Sequence, residues 1–189
     1  VAHSWAMSAQ AHRTALVTGG ALRIGRAIVT DLAAHGWAIA IHYNSSDSTA
    51  KALAGDIRSE GGQAVAVRAD LAREEETAGL LPRAVQKIGP ITCLVNNASV
   101  FEKDTVETAS HQSWHAHMQV NLRAPFVLTQ AFAAGLPQDI EGNVINIIDQ
   151  RVWNPTPNFT TYTLSKSALW TLTRTLAMAL APAIRVNAV

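Results

Sequence analysis

Hydrophobic positions along the chain fall into two alternating kinds of run. Short runs rich in β-branched and other apolar residues read as strands at 14–18 (TALVT), 37–43 (WAIAIHY), 64–69 (AVAVRA), 91–97 (ITCLVNN), 143–148 (NVINII) and 184–189 (IRVNAV). Between them lie longer stretches with helical character. One covers 23–35 and is closed by Gly36. The next covers 48–59, with Asp47 as its cap and Gly61 and Gly62 at its end. Others cover about 73–88, across Pro82, then 111–135 and 160–180, with a short helix expected near 104–108. Strands separated by helices imply right-handed crossovers and a parallel sheet covered on both faces.

The expected fold is therefore α/β, a Rossmann-type doubly wound parallel sheet in three αβα layers. The 189 residues suffice for one domain with a real core, taken as 13–189, with 1–12 a loose tail. The last strand meets the end of the chain with no loop or cap after it, so a further C-terminal part is expected. Hydrophobic residues at 48% against 15% charged describe a globular chain, not a disordered one. A net charge of +1 and no basic run give no reason to expect nucleic acid as a partner. No segment approaches the roughly 20 apolar residues of a spanning helix. The opening residues lack the basic start and apolar stretch of a signal peptide. With a single cysteine, Cys93, which has no partner for an internal disulfide, a cytoplasmic setting is expected.

Candidate chemistry begins where the first strand ends. Gly19, Gly20 and Gly25 stand between that strand and the first helix, at the carboxyl edge of the sheet where ligands bind. Glycines admit a pyrophosphate close to the backbone, and the helix N-terminus offers N–H donors to it. The second strand selects the cofactor. An NAD site places an acid at its end to hold the ribose 2′-hydroxyl. Here the end reads His42, Tyr43, Asn44, Ser45, Ser46, with no acid before Asp47. Arg23 in the glycine turn is suited to a 2′-phosphate, so NADP(H) is expected.

Tyr162 and Lys166 are four apart and share a helix face. A nearby ammonium lowers a tyrosine pKa, so Tyr162 is a candidate proton donor near neutral pH. Thirteen residues before it, the fifth strand ends on Asp149, followed by Arg151. One reading of Asp149 is a strand-end cap paired with Arg151; the other is a residue of the site, its pKa raised by burial. His111, His115 and His117 read as surface histidines, not a metal site. Trp153 and the Pro-rich stretch 154–159 form either a rigid connector or a pocket wall. The 160–180 helix carries only Lys166 and Arg174 as charges, so it is buried on both faces or packs on another subunit.

These motifs resemble the short-chain dehydrogenase/reductase family: TGGALRIG (18–25), NNAS (96–99), Asn121 in VNLRAPF, YTLSK (162–166) and IRVNAV (184–189), in the family's order along nearly the whole chain. The resemblance implies a nicotinamide-dependent oxidoreductase in which Tyr162 is the acid/base. Lys166 would bind the nicotinamide ribose, and Asn121 would hold a water in a proton relay. Ile24 with the glycine turn, Asp70 and Leu71 in ADL, and Asn97, Ala98 and Ser99 would lie along the cofactor. It also implies a homotetramer or homodimer through the two long helices. The family's usual turn has Gly where Arg23 stands, and its catalytic serine stands where this chain has Asp149. Both departures are similar to a pteridine reductase subgroup, which implies a pterin sandwiched between the nicotinamide and Phe101, with Arg23, Ser99 and Asp149 also facing the substrate. The expected reaction is reduction of a pteridine C=N bond. An ordinary carbonyl or alcohol substrate is the alternative, and a non-catalytic dinucleotide sensor the third.

Overall fold

The computed structural model describes residues 13–189. The tail expected over 1–12 lies outside the described residues. Six strands, β1 (Thr14–Val17), β2 (Ala38–Tyr43), β3 (Ala64–Arg68), β4 (Cys93–Asn96), β5 (Gly142–Asn146) and β6 (Ile184–Ala188), form one sheet in the order β3-β2-β1-β4-β5-β6. Every pairing is parallel, and Leu16 of β1 lies level with Ala40 on one side and Leu94 on the other. The order reverses between β1 and β4, which opens a crevice at the carboxyl ends of those two strands.

The helices are α1 (Arg23–Ala34), α2 (Asp47–Ser59), α3 (Glu74–Ile88), α4 (His111–Met118), α5 (Ala124–Gly135) and α6 (Thr160–Leu180). Alternate strand residues feed two cores. Val17, Ile39, Ile41 and Val95 pack with Val29 of α1 and Leu53 and Ile57 of α2. Leu16, Leu94, Val144 and Val186 pack on the other face with Leu80 of α3 and Leu128 and Phe132 of α5. Gly36 follows α1 in the left-handed region (φ 80°), as a closing glycine should.

Three expectations need correction. Asp47 is the first residue of α2, not its cap; it pairs with Lys51 one turn on (2.8 Å) and accepts the Tyr43 hydroxyl. Residues 104–108 form a single turn on the Thr105 carbonyl, because the Asp104 side chain is drawn inward to other partners. The stretch 111–135 is not one α-helix. A wider π turn, Gln119–Arg123, separates α4 from α5, and the Ala124 N–H reaches back five residues to the Gln119 carbonyl. The cause is Pro125, which has no N–H for the Asn121 carbonyl four residues before it and would crowd that carbonyl in regular α geometry. Along α4, the π turn and α5, Trp114, Met118, Leu122 and Phe126 line an apolar groove with Leu172 of α6, about 460 Å³ in volume.

Candidate active site

The crevice between β1 and β4 holds a cleft of about 510 Å³. Of the residues expected to form a site, Gly19, Arg23, Ile24, Gly25, Asn44, Asp70, Leu71, Asn97, Ala98, Ser99, Phe101 and Tyr162 line it. Its floor is backbone. Gly19 adopts φ 62°, and a Cβ on Gly25 would stand 2.1 Å from the Gly19 carbonyl oxygen, so only glycine closes this turn. Arg23, at the position where the resemblance implies Gly, has φ 48°. The turn keeps the glycine backbone and carries a cation on it, a strained choice for a residue with a Cβ. Arg23 is exposed at the cleft and forms no ion pair among the described residues.

Two side chains hold this floor in place. Asn97 donates from Nδ2 to the Thr18 carbonyl (2.8 Å) and more weakly to that of Gly19 (3.3 Å). His42, buried at the end of β2, accepts the Gly19 N–H at Nδ1 (3.0 Å), so its Nε2 carries the proton and donates to the Ala69 carbonyl (3.0 Å). Burial pushes its pKa down to about 4, which keeps the ring neutral. His42 lines the cleft without being among the residues the sequence points to, whereas Tyr43, which the sequence places there, does not line it. Successive strand residues point to opposite faces, so the ring of Tyr43 turns away from the cleft to Asp47 while His42 faces the glycine turn. Ser45 is exposed in the following loop and does not line the cleft.

At the other end of the cleft α6 contributes Tyr162 to the lining, with Lys166 and Asp149 behind it and off the wall. The ladder Asn96 Nδ2 to Asn146 Oδ1 (2.8 Å), then Asn146 Nδ2 to Thr173 Oγ1 (2.8 Å), ties that helix to the sheet, and Lys166 Nζ donates to the Ile147 carbonyl (2.8 Å). Burial lowers the Lys166 pKa to about 8. Tyr162 donates its hydroxyl to Asp149 Oδ2 at 3.0 Å. Its pKa is therefore raised, first by burial and then by this bond and the carboxylate's charge. The expected lowering by Lys166 is not realised, because the ammonium is bonded to Ile147 and the hydroxyl faces an anion. Burial pushes Asp149 up, but the Arg151 N–H (2.9 Å), the Tyr162 hydroxyl and the Arg151 guanidinium (3.3 Å) together hold it below the ordinary carboxylate range. The expected upward shift is thus reversed. The cap reading of Asp149 is realised, with Oδ1 capping the turn Gln150–Val152 and pairing with Arg151; its Oδ2 also meets Tyr162, although Asp149 itself does not line the cleft.

Asn121 lies in the π turn, fully buried and off the cleft wall. Its amide donates to the Val100 carbonyl (2.9 Å) and Ser165 Oγ (3.0 Å) and accepts from the Val100 N–H (2.8 Å) and Ser99 Oγ (3.2 Å). Its side chain thus joins the NNAS loop to α6. Phe101 is half-exposed at the cleft; Phe159 stacks on it at 4.4 Å, and Tyr162 meets it edge-on at 4.6 Å. The Arg151 guanidinium covers both phenylalanine rings, at 5.3 and 4.8 Å from their centroids. The Pro-rich stretch lines none of the cleft; its last residue, Phe159, backs Phe101, which does. Trp153 is exposed, edge-on to Trp170. His117 is fully buried, against expectation, while His111 and His115 are exposed. No group of His, Cys, Asp or Glu among the described residues is arranged to hold a metal.

A glycine floor with no room for a Cβ, a helix N-terminus, an unpaired arginine and no acid at the end of β2 fit a phosphorylated dinucleotide. A profile of the short chain dehydrogenases matches residues 13–189. The chain is 52% identical to the FolM alternative dihydrofolate reductase 1 of Brucella canis, solved with NADP, with a TM-score of 0.90 over 93% of this chain and 71% of that one. It is 34% identical to a short chain dehydrogenase of Burkholderia cenocepacia, also solved with NADP, with a TM-score of 0.87 over 94% and 72%. It is 32% identical to a 3-oxoacyl-[acyl-carrier-protein] reductase of Synechocystis over 97% of this chain and 74% of the relative. The chain belongs to the short-chain dehydrogenase/reductase family and is an NADP(H)-dependent oxidoreductase.

Proposed function

We propose that the enzyme reduces a C=N bond of a pteridine, a dihydropterin or dihydrofolate-like ring. The observation that carries this is the ionised Asp149 bonded to Tyr162 beside Phe101. An ionised carboxylate only accepts hydrogen bonds. It repels the oxyanion that develops in carbonyl reduction, and it suits an aminopterin edge that presents N–H groups. The similarity to an alternative dihydrofolate reductase points the same way.

Gly19, Gly25, Asn97 and Arg23 line the cleft and would hold NADPH, and Lys166 would reach its ribose, as the family resemblance implies. NADPH, when bound, supplies the hydride. The proton for the ring nitrogen comes from Tyr162, which its raised pKa keeps protonated at neutral pH. Asp149 orients the ring by accepting its N–H groups, and Phe101 offers a flat face for stacking. Tyr162 is then reprotonated from solvent.

The same reading makes the enzyme a cytoplasmic homotetramer or homodimer. The buried face of α6 is lined by Tyr162, Ser165, Lys166, Leu169 and Thr173, whereas Leu164 and Met178 stay exposed. The groove through Trp114, Met118, Leu122 and Phe126 is the surface best suited to a second copy. No helix among the described residues is long and apolar enough to cross a membrane.

NADPH oxidation with dihydrobiopterin or dihydromonapterin tests the substrate, and Asp149→Ser tests the carboxylate. The wild type should turn over the pterin, and the serine variant should lose pterin turnover while gaining on simple ketones. Turnover of a 3-oxoacyl thioester with none of any dihydropterin would reject the pteridine in favour of the carbonyl reading that the Synechocystis relative supports. NADPH binding without oxidation on either panel would favour a sensor.

A further inference from the structure

Asp104, in the loop between β4 and α4, is only 3% exposed, and no lysine or arginine pairs with it among the described residues. A buried carboxylate without a counter-ion is costly unless donors surround it. Its donors converge from two helices. Oδ1 accepts the Thr161 N–H at 3.1 Å, and Oδ2 accepts the hydroxyls of Thr161 and Ser113, the latter at 3.2 Å. Its own backbone carbonyl accepts the Phe159 N–H at 2.7 Å. The first N–H groups of any helix lack partners within it. At the start of α6 the residue in the capping position, Phe159, is left-handed (φ 60°) and its side chain caps nothing. Asp104, 57 positions before Thr161, therefore caps the helix, with its negative charge at the positive end of the dipole.

His117 completes the link. Its Nε2 accepts the Glu102 N–H at 3.1 Å, so Nδ1 carries the proton and donates to Thr161 Oγ1 at 2.7 Å, and the Thr161 hydroxyl in turn donates to Asp104 Oδ2. The segment from Phe101 to Asp104 is thus tied to Thr161, one residue before Tyr162, directly through Asp104 and indirectly through His117 of α4.

We propose that Asp104, acting through Thr161 and His117, is a positioning residue for Tyr162: it fixes the start of α6 against the Phe101 loop, so that the tyrosine hydroxyl meets both Asp149 and the stacking face of Phe101. This rests on Tyr162 as the proton donor, but not on the substrate being a pteridine. The charged and titratable groups facing Tyr162 are Asp149 and Arg151 from the turn that follows β5, His117 from α4, and Lys166 from its own helix.

The test uses Asp104→Asn, Thr161→Val and Thr161→Ser. The chain has two tyrosines, Tyr43 and Tyr162, so 13Cζ-tyrosine NMR follows both, with Tyr43→Phe for assignment. Wild-type Tyr162 should stay protonated to the alkaline limit of the fold. In Asp104→Asn and Thr161→Val it should ionise at least about one pH unit lower. In those two variants kcat with dihydrobiopterin should fall about tenfold or more, with NADPH affinity held within about twofold, a split that a general loss of stability does not produce. Thr161→Ser, which keeps the hydroxyl, should behave as wild type. An unshifted Tyr162 in both variants, or a kcat loss matched by an equal loss of NADPH affinity, overturns the proposal. If the wild type reduces no dihydropterin, the pteridine reading fails, and the Tyr162 titration alone decides this one.

Discussion

The two ends of the cleft are built by opposite means. The glycine end is backbone, closed by Gly19 and Gly25 and pinned by two neutral side chains, His42 and Asn97. The tyrosine end presents the side chains Asp149, Tyr162 and Lys166, and α6 is held there by bonds from the Asp104 loop, the π turn and the segment after β5. Shape does the work at the first end, and charge placement at the second. The first should tolerate changes of pH and fail on added volume. The second should tolerate changes of volume and respond to charge.

The largest effect is expected at the charged end. Tyr162→Phe should lower kcat by about 10²–10⁴-fold, the range of general acid–base catalysis, with NADPH affinity retained in a fluorescence titration. Retained turnover would move the proton donor elsewhere. Next comes the shape end. In Gly25→Ala the methyl group meets the Gly19 carbonyl, so the turn must shift. A stability loss of about 1–3 kcal/mol is expected in thermal or denaturant unfolding, with NADPH affinity weakened by an order of magnitude or more.

The third prediction separates the two ends by pH. Lys166 has a folded pKa of about 8, below its unfolded value of about 10.4. Between those values the unfolded chain binds more protons, so Lys166 makes stability rise with pH across that window. NADPH affinity should move the other way, falling by up to about tenfold per unit above about pH 8 as the ammonium is lost. Lys166→Met should flatten both slopes, and a slope surviving in that variant would assign it to another group.

The smallest effect concerns Asp149. Its folded pKa is depressed, so its contribution to stability is present above the unfolded value of about 3.9 and is lost as pH falls through the folded one. Arg151→Gln removes one of the groups that depress it. The acid limb of the kcat profile should then move up by about one unit or less, with little change at neutral pH. An unmoved limb would mean that the Arg151 backbone N–H and Tyr162 suffice.

The same contrast decides what the sequence discloses. All six strands, the parallel order of elements and the glycine turn are legible because each is written in contiguous residues with a fixed period. Tyr162, Lys166 and Asp149 are legible by spacing along one strand–helix unit. Asp104 and Phe159 are not, because their partners lie 57 residues apart in one case and in a stacking geometry in the other. His117 left a usable signal: at about 100° per residue it stands roughly 200° from His115, on the opposite face of the same helix. Tyr43 left one as well, since strand alternation allows only one of two neighbours to face the cleft. The pKa directions at Tyr162 and Asp149 are not legible in the sequence, because spacing pairs Tyr162 with Lys166 whereas the folded hydroxyl points at Asp149, and the donors that gather on Asp149 are set by the turn after β5.

The π turn at Gln119–Arg123 also sets the phase of the surface on its far side. Residues spaced strictly by four drift about 40° per step around an α-helix, because a turn takes 3.6. Trp114, Met118, Leu122 and Phe126 are spaced in this way, yet they line one groove. A turn that takes up more residues winds the stripe back into line halfway along. The wide turn imposed by Pro125 therefore serves two surfaces of the molecule: Asn121 in the interior and the straight apolar stripe outside. Relieving it with Pro125→Ala would disturb both together.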